Sequence, residues 1–146
     1  MKKGFKIVSL ILTFSLLLAV PVNAEGSIEP RGSAFFSSYC TYLAKGDHYS
    51  VEVWFDVAAN AAIMDEIGTT MIELYESKDM ENWTKVKIFL AEDYPQMIDY
   101  NTAFHAGHVT YYASMPCYYY RACVTYYAKN STGIGKNFIY TPILLR

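Results

Sequence analysis

The chain has 146 residues, of which 53% are hydrophobic, 16% aromatic and 18% charged. This length suits one ordinary domain rather than two, and the apolar fraction excludes an intrinsically disordered chain. Three cysteines are too few for a dense disulfide scaffold. Fourteen tyrosines favour β structure, because aromatic side chains fit the pleated, half-buried surface of a sheet.

Residues 1–24 have the pattern of a secretory signal peptide with a short signal helix. A lysine-rich start typical of bacterial signals precedes an apolar run at residues 7–20. Val22 and Ala24 then provide the small or aliphatic residues expected at positions −3 and −1 of a cleavage site. A transmembrane anchor is the alternative, but the uncharged run contains Pro21 and is shorter than the roughly 20 apolar residues that a span needs. We expect cleavage after Ala24 and a secreted, extracellular mature chain.

The mature chain would be acidic. Removal of the signal peptide leaves nine basic and 14 acidic side chains, a net charge of −5. This charge argues against nucleic-acid binding, which requires a basic face. Glu25, and not a lipid-accepting cysteine, follows the cleavage site, and no second apolar span occurs. We therefore expect free secretion, without a stable membrane anchor and without a nucleic-acid partner.

Residues 25–32 form a polar lead-in, and residues 33–146 are predicted to form one β-sandwich domain. The clearest strand covers residues 49–57, where apolar odd positions alternate with Glu52, Trp54 and Asp56. Comparable runs cover residues 33–43, 70–76, 83–88, 108–113, 118–126 and 137–145. Short strands at regular spacing predict an all-β antiparallel sandwich of about seven strands, with a β-barrel as the alternative.

Local patterns give finer predictions around the third and fourth strands. Within residues 83–88 the alternation places Val86 and Ile88 together on one face of the strand and the two lysines on the other. Residues 77–82 contain turn-prone residues between two alternating runs and predict a hairpin. Residues 61–67 are predicted to form one or two helical turns.

The second half of the chain contains one segment without a clear pattern, at residues 91–107. Unpatterned segments of this length are uncommon and are often functional or contain a further element. A solvated crossover between the two sheets is the alternative to a ligand site here. We expect a short extra strand at residues 97–100. Residues 129–136 form a cluster of turn-prone residues, and Pro142 predicts that the last strand lies at a sheet edge.

Several motifs resemble known domains. The strand Tyr118-Tyr-Tyr120-Arg-Ala122-Cys-Val124 and the hairpin Ser77-Lys-Asp79 … Trp83 resemble parts of a fibronectin type III domain. A wider set resembles a family of small secreted bacterial proteins without an assigned function: Arg31-Gly-Ser33, Met64-Asp-Glu-Ile-Gly68, Ile72-Glu-Leu-Tyr-Glu-Ser77, Asn82-Trp83 and Tyr120-Arg121-Ala122. This resemblance covers most of residues 31–146 and implies export and a β-sandwich, but no catalytic residues. The three cysteines depart from the family's pattern.

The three cysteines allow one disulfide at most. Cys117 and Cys123 lie on one predicted strand, about 20 Å apart at ~3.3 Å per residue, which exceeds the roughly 7 Å limit for a bridge. Cys123 shares its side of the strand with Arg121 and is expected to face away from the core. A bridge between Cys40 and Cys117 remains open, and three structural thiols are the alternative.

His105 and His108 are spaced so that both could reach a metal ion from a loop, with Asp93, Asp99 or Glu92 as an oxygen ligand. The alternative is that they are ordinary polar residues before a strand. The sequence shows no Ser-His-Asp order, Gly-rich phosphate loop or paired catalytic carboxylates. We therefore expect no cofactor and no catalytic centre, and we treat the metal site as a weak candidate.

Outward-facing aromatic residues give the best-supported hypothesis for a binding site. If the second and fifth predicted strands are neighbours, as in fibronectin type III folds, Trp54 and Tyr112 share one solvent face with Glu52 and Asp56. Aromatic rings beside carboxylates can stack on sugars and bond their hydroxyls, or can form a hot spot for a protein partner. The alternative is a set of cross-strand pairs that stabilise the sheet by ~0.2–1 kcal/mol each.

These patterns predict a secreted, non-catalytic β-sandwich that acts as a binding or cell-surface interaction module, with a glycan or a protein as its partner. On the other sheet Glu73 is expected to pair with Arg121. One alternative is a small secreted hydrolase or metal-dependent enzyme that uses residues 91–108. The other is a structural component of the cell envelope.

Overall fold

The computed structural model describes residues 34–60, 63–113 and 117–146. The predicted signal peptide, its cleavage site and the lead-in lie outside these residues. The described part contains one 3-10 helix (Pro95–Met97) and the strands β1 (Phe36–Lys45), β2 (Ser50–Ala59), β3 (Met64–Ser77), β4 (Thr84–Leu90), β5 (Ile98–Thr102), β6 (Phe104–Tyr112), β7 (Tyr119–Asn130), β8 (Gly133–Tyr140) and β9 (Leu144–Leu145). Within it, no helix has the length and apolar character that a membrane span requires.

The strands form two antiparallel sheets whose inner faces share one core. The smaller sheet has the order β1-β2-β6. The larger sheet has the order β4-β3-β7-β8, with β5 paired to the beginning of β3 and β9 paired to the beginning of β7. The predicted all-β antiparallel sandwich is confirmed. The described residues form nine strands rather than about seven, because β5 and β9 add short pairings to the larger sheet.

Alternating side chains of the central strands build the core, as the sequence pattern predicts. In β2 the side chains of Val51, Val53, Phe55 and Val57 are no more than 2% exposed, while the residues between them are half-buried on the opposite face. Burial of each such side chain contributes roughly 1.5–3 kcal/mol. The larger sheet supplies the facing layer from β7, namely Tyr120, Ala122, Val124, Tyr126 and Ala128.

β4 contradicts the predicted alternation. Val86 packs against the core, but Ile88 is 43% exposed and Phe89 takes the fully buried position. The pairing register of β3 with β4 shifts at this point, where consecutive residues of β3 pair with Lys87 and Lys85 and leave Val86 as an extra residue. An extra residue in one strand exchanges its inner and outer positions, so the prediction for Ile88 is wrong.

The predicted helical turns at residues 61–67 are wrong in the part that the structure describes. Residues 61 and 62 lie outside that part, and β3 begins at Met64. Met64 and Ile67 are buried in the core, and the beginning of β3 pairs with both β5 and β7. Pairing on both sides of the strand outweighs a weak local preference for helix.

The segment at residues 91–107 is ordered by a buried side chain and a close backbone contact. The extra strand predicted at residues 97–100 is confirmed as β5, which begins one residue later, at Ile98, because Met97 ends the 3-10 helix, and which extends to Thr102. Just before it, Met97 is fully buried. Gly68 of β3 has a φ of +153°, and a Cβ at this position would lie 2.1 Å from the carbonyl oxygen of Met97. Only glycine combines this backbone conformation with so close an approach.

The other turn predictions agree with the structure. β3 and β4 form the predicted hairpin, closed by residues 78–83, and β7 and β8 form a second hairpin at residues 131–132. The second turn is shorter than the predicted cluster, because both strands continue into it. β8 lies at an edge of the larger sheet, as predicted, and Pro142 lies in the connection between β8 and β9.

Candidate recognition surface

The outer side of the smaller sheet presents an aromatic surface that we name the small-sheet face. It consists of the outward side chains of β1, β2 and β6: Ser38, Cys40, Tyr42, Ala44, Glu52, Trp54, Asp56, Ala58, Phe104, Ala106, His108, Thr110 and Tyr112. Three of its aromatic side chains are well exposed, with values of 47% for Tyr42, 54% for Phe104 and 71% for Tyr112.

A stack of three rings crosses the centre of the small-sheet face. Strand register places Tyr42, Trp54 and His108 in one row. The Trp54 and His108 rings are 4.4 Å apart at an angle of 21°, and the Tyr42 and Trp54 rings are parallel at 6.1 Å. The indole Nε1 of Trp54 donates a hydrogen bond of 2.8 Å to the carboxylate of Glu52 on the same strand. These contacts fix the orientation of Trp54.

The stack changes what Trp54 can offer to a ligand. Its ring is flanked by Tyr42 on one side and by His108 on the other, because adjacent strands place their side chains next to each other. These neighbours restrict the access of a sugar ring to the indole faces. A row of three rings suits contact with a flat or grooved partner surface.

Tyr112 shares the small-sheet face with Trp54 but is not its neighbour. β2 and β6 pair with each other, so the assumption behind the expected surface holds. Tyr112 pairs with Ser50, however, while Trp54 pairs with His108. These rows are four residues apart along β2, or ~13 Å at ~3.3 Å per residue. A ligand that contacts both rings must therefore extend along the strands.

Two carboxylates flank the ring stack, and they differ in their surroundings. Glu52 is engaged by Trp54. Asp56 lies on the opposite side of the ring stack from Glu52, in a row with Cys40 and Ala106. Partial burial raises the pKa of its carboxyl above the ordinary value. The outward positions of β1, β2 and β6 include no lysine or arginine, so the small-sheet face is acidic.

The two histidines proposed as metal ligands lie on opposite sides of β6. His108 belongs to the outward stack, whereas His105 pairs with the core residue Val57. Nε2 of His105 lies 2.9 Å from the carbonyl oxygen of Gln96, and its Nδ1 lies 3.7 Å from the Asp99 carboxylate. His105 and Asp99 thus come together, but His108 does not join them. No cluster of three metal-ligating side chains occurs in the part of the chain that the structure describes.

All three cysteines are free thiols in the structure, so the Cys40–Cys117 bridge left open by the sequence is not formed. Cys40 and Cys117 are exposed, and Cys123 is buried. The expectation that Cys123 faces away from the core holds, since it pairs with Glu73 and Tyr140 on the outer side of the larger sheet. Neighbouring side chains cover it there, and this burial raises the pKa of its thiol.

The expected pair between Glu73 and Arg121 does not form. Glu73 bonds to Lys85 instead, which lowers the pKa of the Glu73 carboxyl. The Arg121 guanidinium lies 4.3 Å from the centre of the Trp83 ring, with Tyr140 at 5.6 Å and Tyr75 at 5.8 Å. These contacts are cation–π interactions. Trp83 lies in the turn of the β3–β4 hairpin, just before the bulge. Its position over β7 depends on a pairing register that the alternation alone does not give.

Sequence reasoning did not single out Tyr42 as part of the binding surface. The available signal was the short connection at residues 46–49, because the length of a hairpin loop restricts the register and therefore the residue opposite Trp54. His108 was considered only as a metal ligand. No family model matches this chain, and no curated protein matches it.

Proposed function

We propose that this protein is a secreted, non-catalytic binding module that recognises a protein at the cell surface through the small-sheet face. The observation that supports this function is the fixed stack of Tyr42, Trp54 and His108, exposed between the carboxylates of Glu52 and Asp56. Exposed aromatic clusters of this kind are typical of interaction sites.

The chemistry of the surface favours a protein partner with basic side chains. Tyr and Trp are enriched at the centres of protein interfaces, where they provide large contact areas with little loss of side-chain entropy. The outward positions of β1, β2 and β6 carry two carboxylates and no lysine or arginine, so this surface attracts the opposite charge and orients the encounter. A glycan partner is less well supported, because Tyr42 and His108 flank the faces of the indole ring.

The sheet orders support a fibronectin type III-like sandwich, since β1-β2-β6 faces β4-β3-β7-β8. Export and membership of the family of small secreted bacterial proteins rest on the sequence motifs. We therefore place the domain outside the cell, where such sandwiches commonly present their sheets and loops to partners.

This function is preferred over a hydrolase or metal-dependent enzyme, because His108 lies away from His105 and Asp99. A purely structural envelope role does not account for the exposed ring stack.

The experiment measures binding of the labelled mature protein to the surface of producing cells. Trp54→Ala removes the centre of the stack and is expected to weaken binding at least tenfold, the usual scale of a hot-spot truncation. Phe138→Ala serves as the matched control, because this exposed aromatic residue lies on the larger sheet. Circular dichroism checks that both variants are folded.

Treatment of the cells distinguishes the possible partners. A protein partner predicts that protease treatment abolishes binding and that periodate oxidation of glycans leaves it intact. The converse result would show that the partner is a glycan and would overturn this proposal. Equal binding of Trp54→Ala and the native protein would remove the small-sheet face from the function. Release of binding by moderate salt is expected, because the attraction between exposed charges is screened.

A further inference from the structure

A cleft of about 510 Å³ opens on the outer side of the larger sheet, away from the small-sheet face. It lies where β4 ends and β5 begins as the neighbour of β3. Its polar lining comprises the carboxylates of Glu66 and Glu92 and the hydroxyls of Thr70, Tyr100 and Tyr127, and Ile98 is part of its apolar wall. The volume falls within the range of about 300–1,000 Å³ that small-molecule sites occupy.

The wall formed by residues 91–100 is held in place by several contacts. Met97 is inserted in the core, and its carbonyl oxygen approaches Gly68 so closely that no side chain would fit. The carbonyl oxygen of Gln96 lies 2.9 Å from Nε2 of His105. The Tyr94 ring packs edge-on against Phe89 at 5.1 Å. A wall fixed in this way does not have to be ordered on binding, which lowers the entropic cost of holding a small ligand.

The polar groups of the cleft provide both donors and acceptors of hydrogen bonds. Lys129 Nζ lies 2.9 Å from Glu66 Oε1, and this bond lowers the pKa of the Glu66 carboxyl. Burial and the neighbouring Glu66 carboxylate raise the pKa of the Tyr127 hydroxyl, and a tyrosine hydroxyl can both donate and accept a hydrogen bond. Glu92 forms no ion pair within the described ranges and keeps its acceptor oxygens available.

This combination matches the chemistry of a sugar. Each sugar hydroxyl both donates and accepts hydrogen bonds, and the cleft presents carboxylates and hydroxyls close together, with the Lys129 ammonium beside one of them at 2.9 Å from Glu66. The ring of Tyr100 is 61% exposed at the rim and can pack against the C–H face of a pyranose. Two carboxylates disfavour an anionic ligand, and Lys129 reduces the attraction for a simple amine.

We propose that this cleft is a second binding site, which takes a neutral saccharide unit with its hydroxyls on Glu66 and Glu92 and one ring face on Tyr100. The site is independent of the small-sheet face, and it lies in the segment that the sequence marked as the longest without a pattern. It adds a small-molecule specificity to a protein-binding module.

The test is a titration of ¹⁵N-labelled mature protein, followed by amide resonances, with glucose, galactose, N-acetylglucosamine, cellotriose and maltotriose as separate probes. Choline is the cationic probe. We expect at least one saccharide to shift resonances of residues 66–70, 91–100 and 127. We expect Tyr100→Ala and Glu92→Gln each to weaken that binding about tenfold, which corresponds to ~1.4 kcal/mol.

Phe138→Ala, an exposed aromatic residue elsewhere on the same sheet, is expected to bind the saccharide as the native protein does. Trp54→Ala is also expected to leave these shifts unchanged, which separates this site from the proposed function. The proposal is overturned if no saccharide of the set shifts these resonances at millimolar concentration. It is equally overturned if choline alone shifts them, or if the shifts persist unchanged in Tyr100→Ala and Glu92→Gln.

Discussion

Single side chains on the two outer faces illustrate what alternation predicts and what it leaves open. The period of two gave the correct side of β2 for Trp54 and the correct side of β7 for Cys123. It did not give the lateral neighbours, because these depend on the pairing register of three strands. The stack of Tyr42 and His108 on Trp54 and the contact of Arg121 with Trp83 are both lateral. The composition of the surface was therefore predictable, but its arrangement was not.

Asp56 is expected to make the stability of the protein depend on pH. Partial burial raises the pKa of its carboxyl in the folded state, so the folded protein holds this proton more tightly than the unfolded chain. Below the ordinary pKa both states are protonated and the residue has no effect. As the pH rises through the raised folded pKa, the folded state loses stability because a half-buried charge forms.

Asp56→Asn removes this charge. We expect the variant to gain stability relative to the native protein between about pH 3 and pH 7, by an amount within the roughly 0.5 kcal/mol typical of surface substitutions. Urea unfolding of both proteins at the two pH values measures the difference. A relative gain at the acidic value instead would show that the carboxylate is stabilised and not desolvated.

At the scale of strands, a single extra residue decides which side of β4 faces the core. Residues 83–88 contain an alternation that matches an ordinary strand, and no local feature marks Val86 as unpaired. The bulge is determined by how β3 and β4 fit over the core, and Phe89 fills the space that results. The beginning of β3 shows the same dependence, since two partner strands turn a predicted helical segment into a strand. Long-range pairing therefore explains both errors.

The bulge predicts losses of stability of very different size for two neighbouring residues. Phe89→Ala is expected to reduce the free energy of unfolding by about 3–5 kcal/mol, because it leaves a cavity in the core. Ile88→Ala is expected to cost less than about 1 kcal/mol, because this side chain is 43% exposed. Chemical denaturation of both variants provides the measurement. A larger loss for Ile88→Ala would mean that β4 pairs without the bulge in solution.

At the scale of the whole molecule, regular alternation and turn signals predicted the sandwich correctly. Seven short amphipathic runs can bury their apolar sides only against each other, which leaves few architectures. The order of the strands and the position of β5 were not derivable from periodicity, since they arise from contacts between distant parts of the chain. For this reason the sequence indicated only that residues 91–107 were of interest. It did not predict that β3, β5 and β7 form a cleft there, or which residues line it.

Tyr126 links the two sheets through a polar contact within the apolar core. Its hydroxyl donates a hydrogen bond to the carbonyl oxygen of Cys40 on β1, and burial raises the pKa of this hydroxyl. Tyr126→Phe keeps the ring and removes the donor, so we expect a loss of about 1–2 kcal/mol in the free energy of unfolding. Tyr112→Phe, at an exposed tyrosine, is the control and is expected to have no effect. Equal midpoints of thermal unfolding for the two variants would show that the hydrogen bond from Tyr126 to Cys40 does not stabilise the packing of the two sheets.

The burial of Cys123 has a consequence for how the protein responds to oxidants. The thiolate of an outward cysteine on a sheet is ordinarily accessible and reacts readily with peroxides and disulfides. Here the side chain is only 7% exposed beside Tyr140, and its thiol holds its proton more strongly than usual. Oxidative ageing should therefore begin at Cys40 and Cys117, while the third sulfur stays reduced as long as the larger sheet remains intact.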